Sequence, residues 1–134
     1  MTSKVTYLGN LRTTAVHLAS EKKLITDAPL DNQGKGEAFS PTDTLATALA
    51  SCLITIMGIK ARDLGINIEG TFAEVQKIMD EQPRRISEIK VKVCFLSSFG
   101  AKTEKILEKA ALTCPVANSL HPDLKQSITF IWPS

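Results

Sequence analysis

Residues 40–64 read SPTDTLATALASCLITIMGIKARDL. This stretch decides the fold. Ser40 is suited to cap a helix, Pro41 to its first position, and Asp43 to the acidic place of a capping box. Gly65 follows as a natural stop, so one long helix is expected over residues 40–64. It is apolar nearly all the way round until Lys60 and Arg62. Such a helix is expected to be buried on most sides. Ala46, Ala48, Ala50 and Ser51 leave room for a neighbour to approach closely. A thiol, Cys52, sits in the middle.

The elements on either side are shorter. Lys4 to Leu8 is β-prone, Gly9-Asn10 suits a tight turn, and Leu11 to Leu18 reads as the return strand. Ser20-Glu21-Lys22 marks a second turn, and Lys23 to Thr26 a third strand. Residues 28–39 form a loop of a length often tied to function. Beyond the long helix, Thr71 to Met79 and Glu88 to Leu96 read as strands joined through Gln82-Pro83. In the second, Ile89, Val91, Val93 and Phe95 share one face, and Lys90, Lys92 and Cys94 the other. Lys102 to Leu112 is an amphipathic helix, Val116 to Leu120 a short one, and Ser127 to Trp132 a last strand. This order predicts an α+β protein. We expect a single domain over 1–134, with N-terminal strands in 4–27 and C-terminal strands and helices in 70–133.

Composition narrows the function classes. The chain has 134 residues, 43% hydrophobic, enough for one self-sufficient core. Sixteen basic residues against 14 acidic ones leave a net charge of +2, and aromatics are only 5%. Neither favours a nucleic-acid surface. The N-terminus has no apolar signal core. The apolar run Leu45–Ile59 is interrupted by Thr47, Ser51 and Thr55, and is shorter than the ~18 to 20 residues of a membrane span. The expected location is the cytoplasm, with no membrane partner. Three cysteines in such a chain point away from a disulfide scaffold. If two of them pair, redox chemistry is the better explanation.

Two readings stay open for Cys52. A free cysteine often packs as a small hydrophobe. Alternatively it is a nucleophile, which needs a nearby cation because burial disfavours the thiolate. Cys114, just before Pro115, falls at the start of the short helix, where the dipole favours a thiolate. On local physics it looks the more reactive of the two. Cys94, on the lysine-bearing face of a strand, is expected to be a bystander. His17 and His121 lack metal-ligand spacing, and no C-x-x-C, phosphate loop or G-x-S-x-G elbow is present. No metal or cofactor is expected.

Three stretches, taken in order, resemble the OsmC/Ohr family of thiol-dependent peroxidases. They are YLGNLRTTAVHLASEKKLITDAP, GKGEAFSPTDTLATALASCLITIMG and ALTCPVANSLHPDLK. The second and third each place one cysteine in a distinctive frame, 62 residues apart. The resemblance covers essentially the whole chain.

It implies an OsmC-like fold: antiparallel sheets packed around a long buried central helix, in an intertwined homodimer with sites where the subunits meet. It also implies a chemistry. Cys52 would attack the peroxide, Cys114 would resolve the sulfenic acid as a disulfide, and a dithiol such as a lipoyl group would reduce it. Arg12, in the N-terminal strands, holds the place of the residue that activates the thiolate. This places Cys52 ahead of Cys114 as the attacking thiol, against the local reading. Peroxidase members carry a glutamate directly after the helix-starting proline, where this chain has Thr42. The partner of Arg12 is therefore expected to be Glu37, from the preceding loop, or Asp43, one position late and about 100° round the helix. The alternative function is a redox-sensing or apolar-ligand-binding protein on the same fold.

Overall fold

The computed structural model describes all 134 residues. They form two compact units, Met1–Leu45 and Ala46–Ser134.

The first unit is an antiparallel meander of β1 (Ser3–Gly9), β2 (Arg12–His17) and β3 (Lys23–Asp27). Gly9, Asn10 and Leu11 all take positive φ where β1 turns into β2, and the pairing shifts register between Tyr7 and Gly9. A glycine and an asparagine tolerate that conformation well. The β2–β3 ladder sets Arg12 directly opposite Asp27. The loop that follows contains one 3-10 turn at Leu30–Asn32 and folds back on itself. The N–H of Gly34 donates to Pro29 O at 2.9 Å, and that of Gly36 to Ala28 O at 3.1 Å. A Cβ on Gly34 would collide with the Ala28 carbonyl, so this close approach requires glycine.

The long helix, α1, runs Pro41–Asp63, within a residue of its expected ends. The capping box forms as the sequence indicates. Asp43 N–H donates to Ser40 Oγ at 3.0 Å, and Ser40 N–H donates to Asp43 Oδ2 at 3.0 Å.

The second unit contains α1 from Ala46 onward, then β4 (Phe72–Glu81), β5 (Arg84–Cys94), α2 (Ala101–Ala111), α3 (Pro115–Ser119) and β6 (Lys125–Ile131). The sheet order is β4-β5-β6. The expectation of antiparallel sheets holds for β1–β2–β3 and for β4–β5 and is corrected for β6, which runs parallel to β5. The two helices α2 and α3 lie between those strands in sequence and supply the long crossover that parallel pairing needs.

Ile89, Val91, Val93 and Phe95 are buried, whereas Lys90 and Lys92 are exposed, as the alternation predicts. Leu107 and Ala111 of α2 are buried with them, as are Leu49, Leu53 and Met57 of α1. Full burial of a leucine such as Leu53 contributes roughly 1.5 to 3 kcal/mol.

The expectation that α1 is buried on most sides counted on a partner subunit to cover what one chain cannot. Within one chain only the stripe Ala46, Leu49, Ala50, Leu53, Met57 and Ala61 is buried. Leu45 and Ile59 stand 41% and 56% exposed. At 23 residues, α1 is long and apolar enough to pass as a membrane span by length and composition alone. Its buried stripe belongs to the core of the second unit.

Candidate active site

The sequence singled out Cys52 and Cys114, and the second unit brings them together. Cys52 lies on α1, half-buried, beside the core stripe at Leu49 and Leu53. Cys114 is the N-cap of α3 and has no exposed surface. Both are free thiols, and Cys52 is near enough to act on the ionisation of Cys114.

The surroundings of Cys114 reverse the local reading of its reactivity. Burial pushes its pKa up, and the nearby Cys52 side chain adds to this. The N–H groups of Ala117 and Val116 act the other way, the first at 3.4 Å from Sγ. They are outweighed, because a five-residue helix supplies little dipole and Cys114 itself is fully buried. Cys114 is held as a protonated thiol, poorly suited to attack first. Cys52 is the one partly open to solvent. The pair thus places a partly accessible sulfur against a buried reservoir thiol.

Arg12 is organised entirely within the first unit. Its Nη2 donates to Glu37 Oε1 at 2.9 Å and lies 3.5 Å from Asp27 Oδ2. Of the two partners expected from sequence, Glu37 is the one seen on the guanidinium, while Asp43 serves the capping box.

Asp27 was not singled out from sequence. Its carboxylate is fully covered, and Oδ2 also accepts the Glu37 N–H at 2.9 Å. Oδ1 is buried with no hydrogen-bond partner. The Glu37 N–H is the main cause of a lowered Asp27 pKa, opposed by desolvation and reinforced by Arg12 and the Ala28 N–H. The signal that could have found it is the hairpin register. A turn around residues 19–21 places residue 27 opposite residue 12.

The remaining candidates lie apart from this chemistry. Cys94 is half-buried on the lysine face, between Phe72 and Ile131 on the neighbouring strands. His17 Nδ1 lies 2.6 Å from Ser20 Oγ, and His121 Nδ1 accepts the Asp123 N–H at 3.0 Å in an exposed turn. No group of three or more His, Cys, Asp or Glu side chains converges on a metal position. A groove of about 500 Å³ runs between α1 and α2, lined by Ile56, Ile59, Ile106 and Lys109 among others; neither cysteine lines it.

The architecture and the cysteine pair now meet their relatives. The sequence model of the family described as OsmC-like protein matches residues 34–129. The chain belongs to the OsmC-like family. A crystal structure from Psychrobacter arcticus 273-4 is 60% identical, with a TM-score of 0.94 over 97% of this chain and 95% of that one. That protein is provisionally named an osmotic stress induced and detoxification response protein. The OsmC-like protein of Mycoplasma pneumoniae is 17% identical, with a TM-score of 0.82 over 98% of this chain and 96% of that one. The organic hydroperoxide resistance protein OhrB of Bacillus subtilis is 18% identical, with a TM-score of 0.68 over 97% and 98% of the two chains. These last two share the fold. No curated protein matches the chain.

Proposed function

We propose that this protein is a cysteine-based, dithiol-dependent peroxidase that reduces organic hydroperoxides in the cytoplasm. The observation that carries the reading is the Cys52–Cys114 thiol pair, one partly accessible and one buried, near enough that Cys52 acts on the ionisation of Cys114. The resistance to organic hydroperoxides named for fold relatives points to the substrate class.

In the proposed cycle the Cys52 thiolate attacks the terminal oxygen of ROOH. The O–O bond breaks, ROH leaves after taking a proton, and Cys52 becomes a sulfenic acid. The Cys114 sulfur then attacks the Cys52 sulfur, forming the disulfide and releasing water. A dithiol such as a lipoyl group returns both thiols by exchange and is itself oxidised to a disulfide. Arg12 supplies the cation that favours the Cys52 thiolate, and Glu37 helps to hold it. The working form is a homodimer with its sites where the subunits meet. The exposed apolar side of α1, with Leu45 and Ile59, supports that assembly.

One observation favours a second reading, a redox-sensing or apolar-ligand-binding protein. Thr42 follows the helix-starting Pro41, where the resemblance to the peroxidases implies a glutamate. Steady-state reduction of cumene hydroperoxide with dihydrolipoamide separates the two. The peroxidase reading expects turnover that Cys52→Ser abolishes. Turnover that survives Cys52→Ser rejects it, and thiol oxidation no faster than that of free cysteine favours the sensor.

A further inference from the structure

We infer that Asp27 is the positioning residue for Arg12. Its covered carboxylate is the fixed anchor of the guanidinium, and Glu37 is an outer, replaceable partner. The inference rests on the proposed role of Arg12 at Cys52 and extends it to a residue for which the sequence offered no role.

Three observations carry it. First, Arg12 and Asp27 are directly opposed in the β2–β3 ladder, so both backbones are fixed against each other. The strand end is tied further by Asp27 N–H to Phe39 O at 3.0 Å and Ala28 N–H to Leu11 O at 3.1 Å. Second, the two carboxylates differ in freedom. The Asp27 side chain is 0% exposed and the Glu37 side chain 58%. An ion pair with a solvent-exposed partner holds geometry weakly, because the long side chain regains its rotamers when it lets go. A covered, short side chain has nowhere to go. Third, Asp27 Oδ2 accepts the Glu37 N–H at 2.9 Å, so the same oxygen that faces Arg12 also places the backbone of its outer partner.

The cost of the arrangement argues the same way. Oδ1 of Asp27 is buried without a partner, an expensive state for a carboxylate oxygen. An asparagine would accept the Glu37 N–H with less charge to shelter. What the carboxylate adds is a fixed negative charge against an arginine whose side chain is itself 37% exposed and whose other partner, Glu37, is mostly open to solvent.

The test compares wild type, Asp27→Asn, Glu37→Gln, Arg12→Ala and the Arg12→Ala/Asp27→Asn double variant. The pH profile of Cys52 alkylation, resolved by peptide mapping, is read with the rate of reaction with cumene hydroperoxide. Asp27→Asn is expected to move the alkylation midpoint up and slow the reaction about tenfold, the factor that one unit of thiol ionisation carries. Glu37→Gln should cost less than about threefold, as a rim pair does. In the Arg12→Ala background Asp27→Asn should add nothing. A midpoint that moves down would mean that Asp27 only adds negative charge near the thiol. Equal slowing in both backgrounds would mean that it only supports the fold. Either result overturns the inference.

A second readout needs neither peroxide nor a change at Asp27. Nitrogen-15 NMR of the Arg12 guanidinium should show restricted rotation that persists in Glu37→Gln. If that substitution frees the guanidinium, Glu37 is the anchor and the inference fails. If wild type reacts with hydroperoxide no faster than free cysteine, the peroxidase reading fails alone, and the NMR result still decides the role of Asp27.

Discussion

Cys114→Ser separates chemistry from folding at this site. Cys114 is fully buried and caps α3, its sulfur accepting the Ala117 N–H at 3.4 Å. Serine is a strong N-cap residue, worth about 0.5 to 2 kcal/mol over a poor one. Its oxygen can take over the bond from Ala117, so the hydroxyl avoids the ~1 to 3 kcal/mol cost of an unsatisfied buried group. Against that stand the lost packing of a larger sulfur and the burial of a more polar atom. The terms nearly cancel, and stability should remain within about 1 kcal/mol of wild type, a few degrees in Tm for a chain of this size. The chemistry should change sharply. Without reductant, wild type exposed to one equivalent of hydroperoxide should end as a disulfide that dimedone does not label. Cys114→Ser should end with a dimedone adduct on Cys52. With dihydrolipoamide present, steady-state turnover should fall at least about tenfold, since the sulfenic acid must be met by an external thiol instead of an adjacent one. A stable Cys114→Ser protein with unchanged turnover and no adduct at Cys52 would refute the resolving role.

Three further outcomes follow from the packing and the charges. Ser40→Ala removes the hydroxyl side of the capping box at the start of α1 and should cost about 1 kcal/mol in urea unfolding; no loss would mean that the cap contributes nothing. Leu53→Ala empties a fully buried position on the core stripe and should cost about 2 to 5 kcal/mol; a loss under about 1 kcal/mol would show that α1 does not carry the core. The lowered pKa of Asp27 fixes the sign of a pH effect. Its ionised form stabilises the fold above its ordinary value of 3.8, and that contribution is lost as pH falls through the lower folded value. The stability difference between wild type and Asp27→Asn should therefore be flat near neutrality and change only below about pH 4. Urea melts from pH 7 to 3 check this, and a difference that changes above pH 5 would contradict it.

Much of the fold was legible because local signals agreed. The capping box and Gly65 fixed α1 within a residue at each end, and the alternation in β5 assigned its buried and exposed faces. The start of β5 was read four residues late. Arg84 and Arg85 after Pro83 look like a turn, yet both lie in the ladder opposite Glu81 and Asp80. The direction of β6 was not legible, because period-two alternation is the same in parallel and antiparallel strands. The apolar circumference of α1 states what must be covered, not what covers it; within one chain only its core stripe is buried. At the site, Cys52 and Cys114 could be named from their frames, but the ionisation of Cys114 could not. Its helix start was visible in sequence, whereas the desolvation that outweighs it depends on tertiary packing. Asp27 escaped notice because a strand-end aspartate before Ala28-Pro29 looks like turn chemistry until the register with Arg12 is known.

The most direct measurement is stopped-flow oxidation of the reduced protein by one equivalent of cumene hydroperoxide, followed by peptide mass mapping. Catalytic use of the thiol pair predicts a Cys52–Cys114 disulfide formed far faster than free cysteine reacts, with Cys94 unchanged. No such disulfide, or one formed no faster than free cysteine reacts, would contradict it and leave Cys52 as a packing residue in a retained fold.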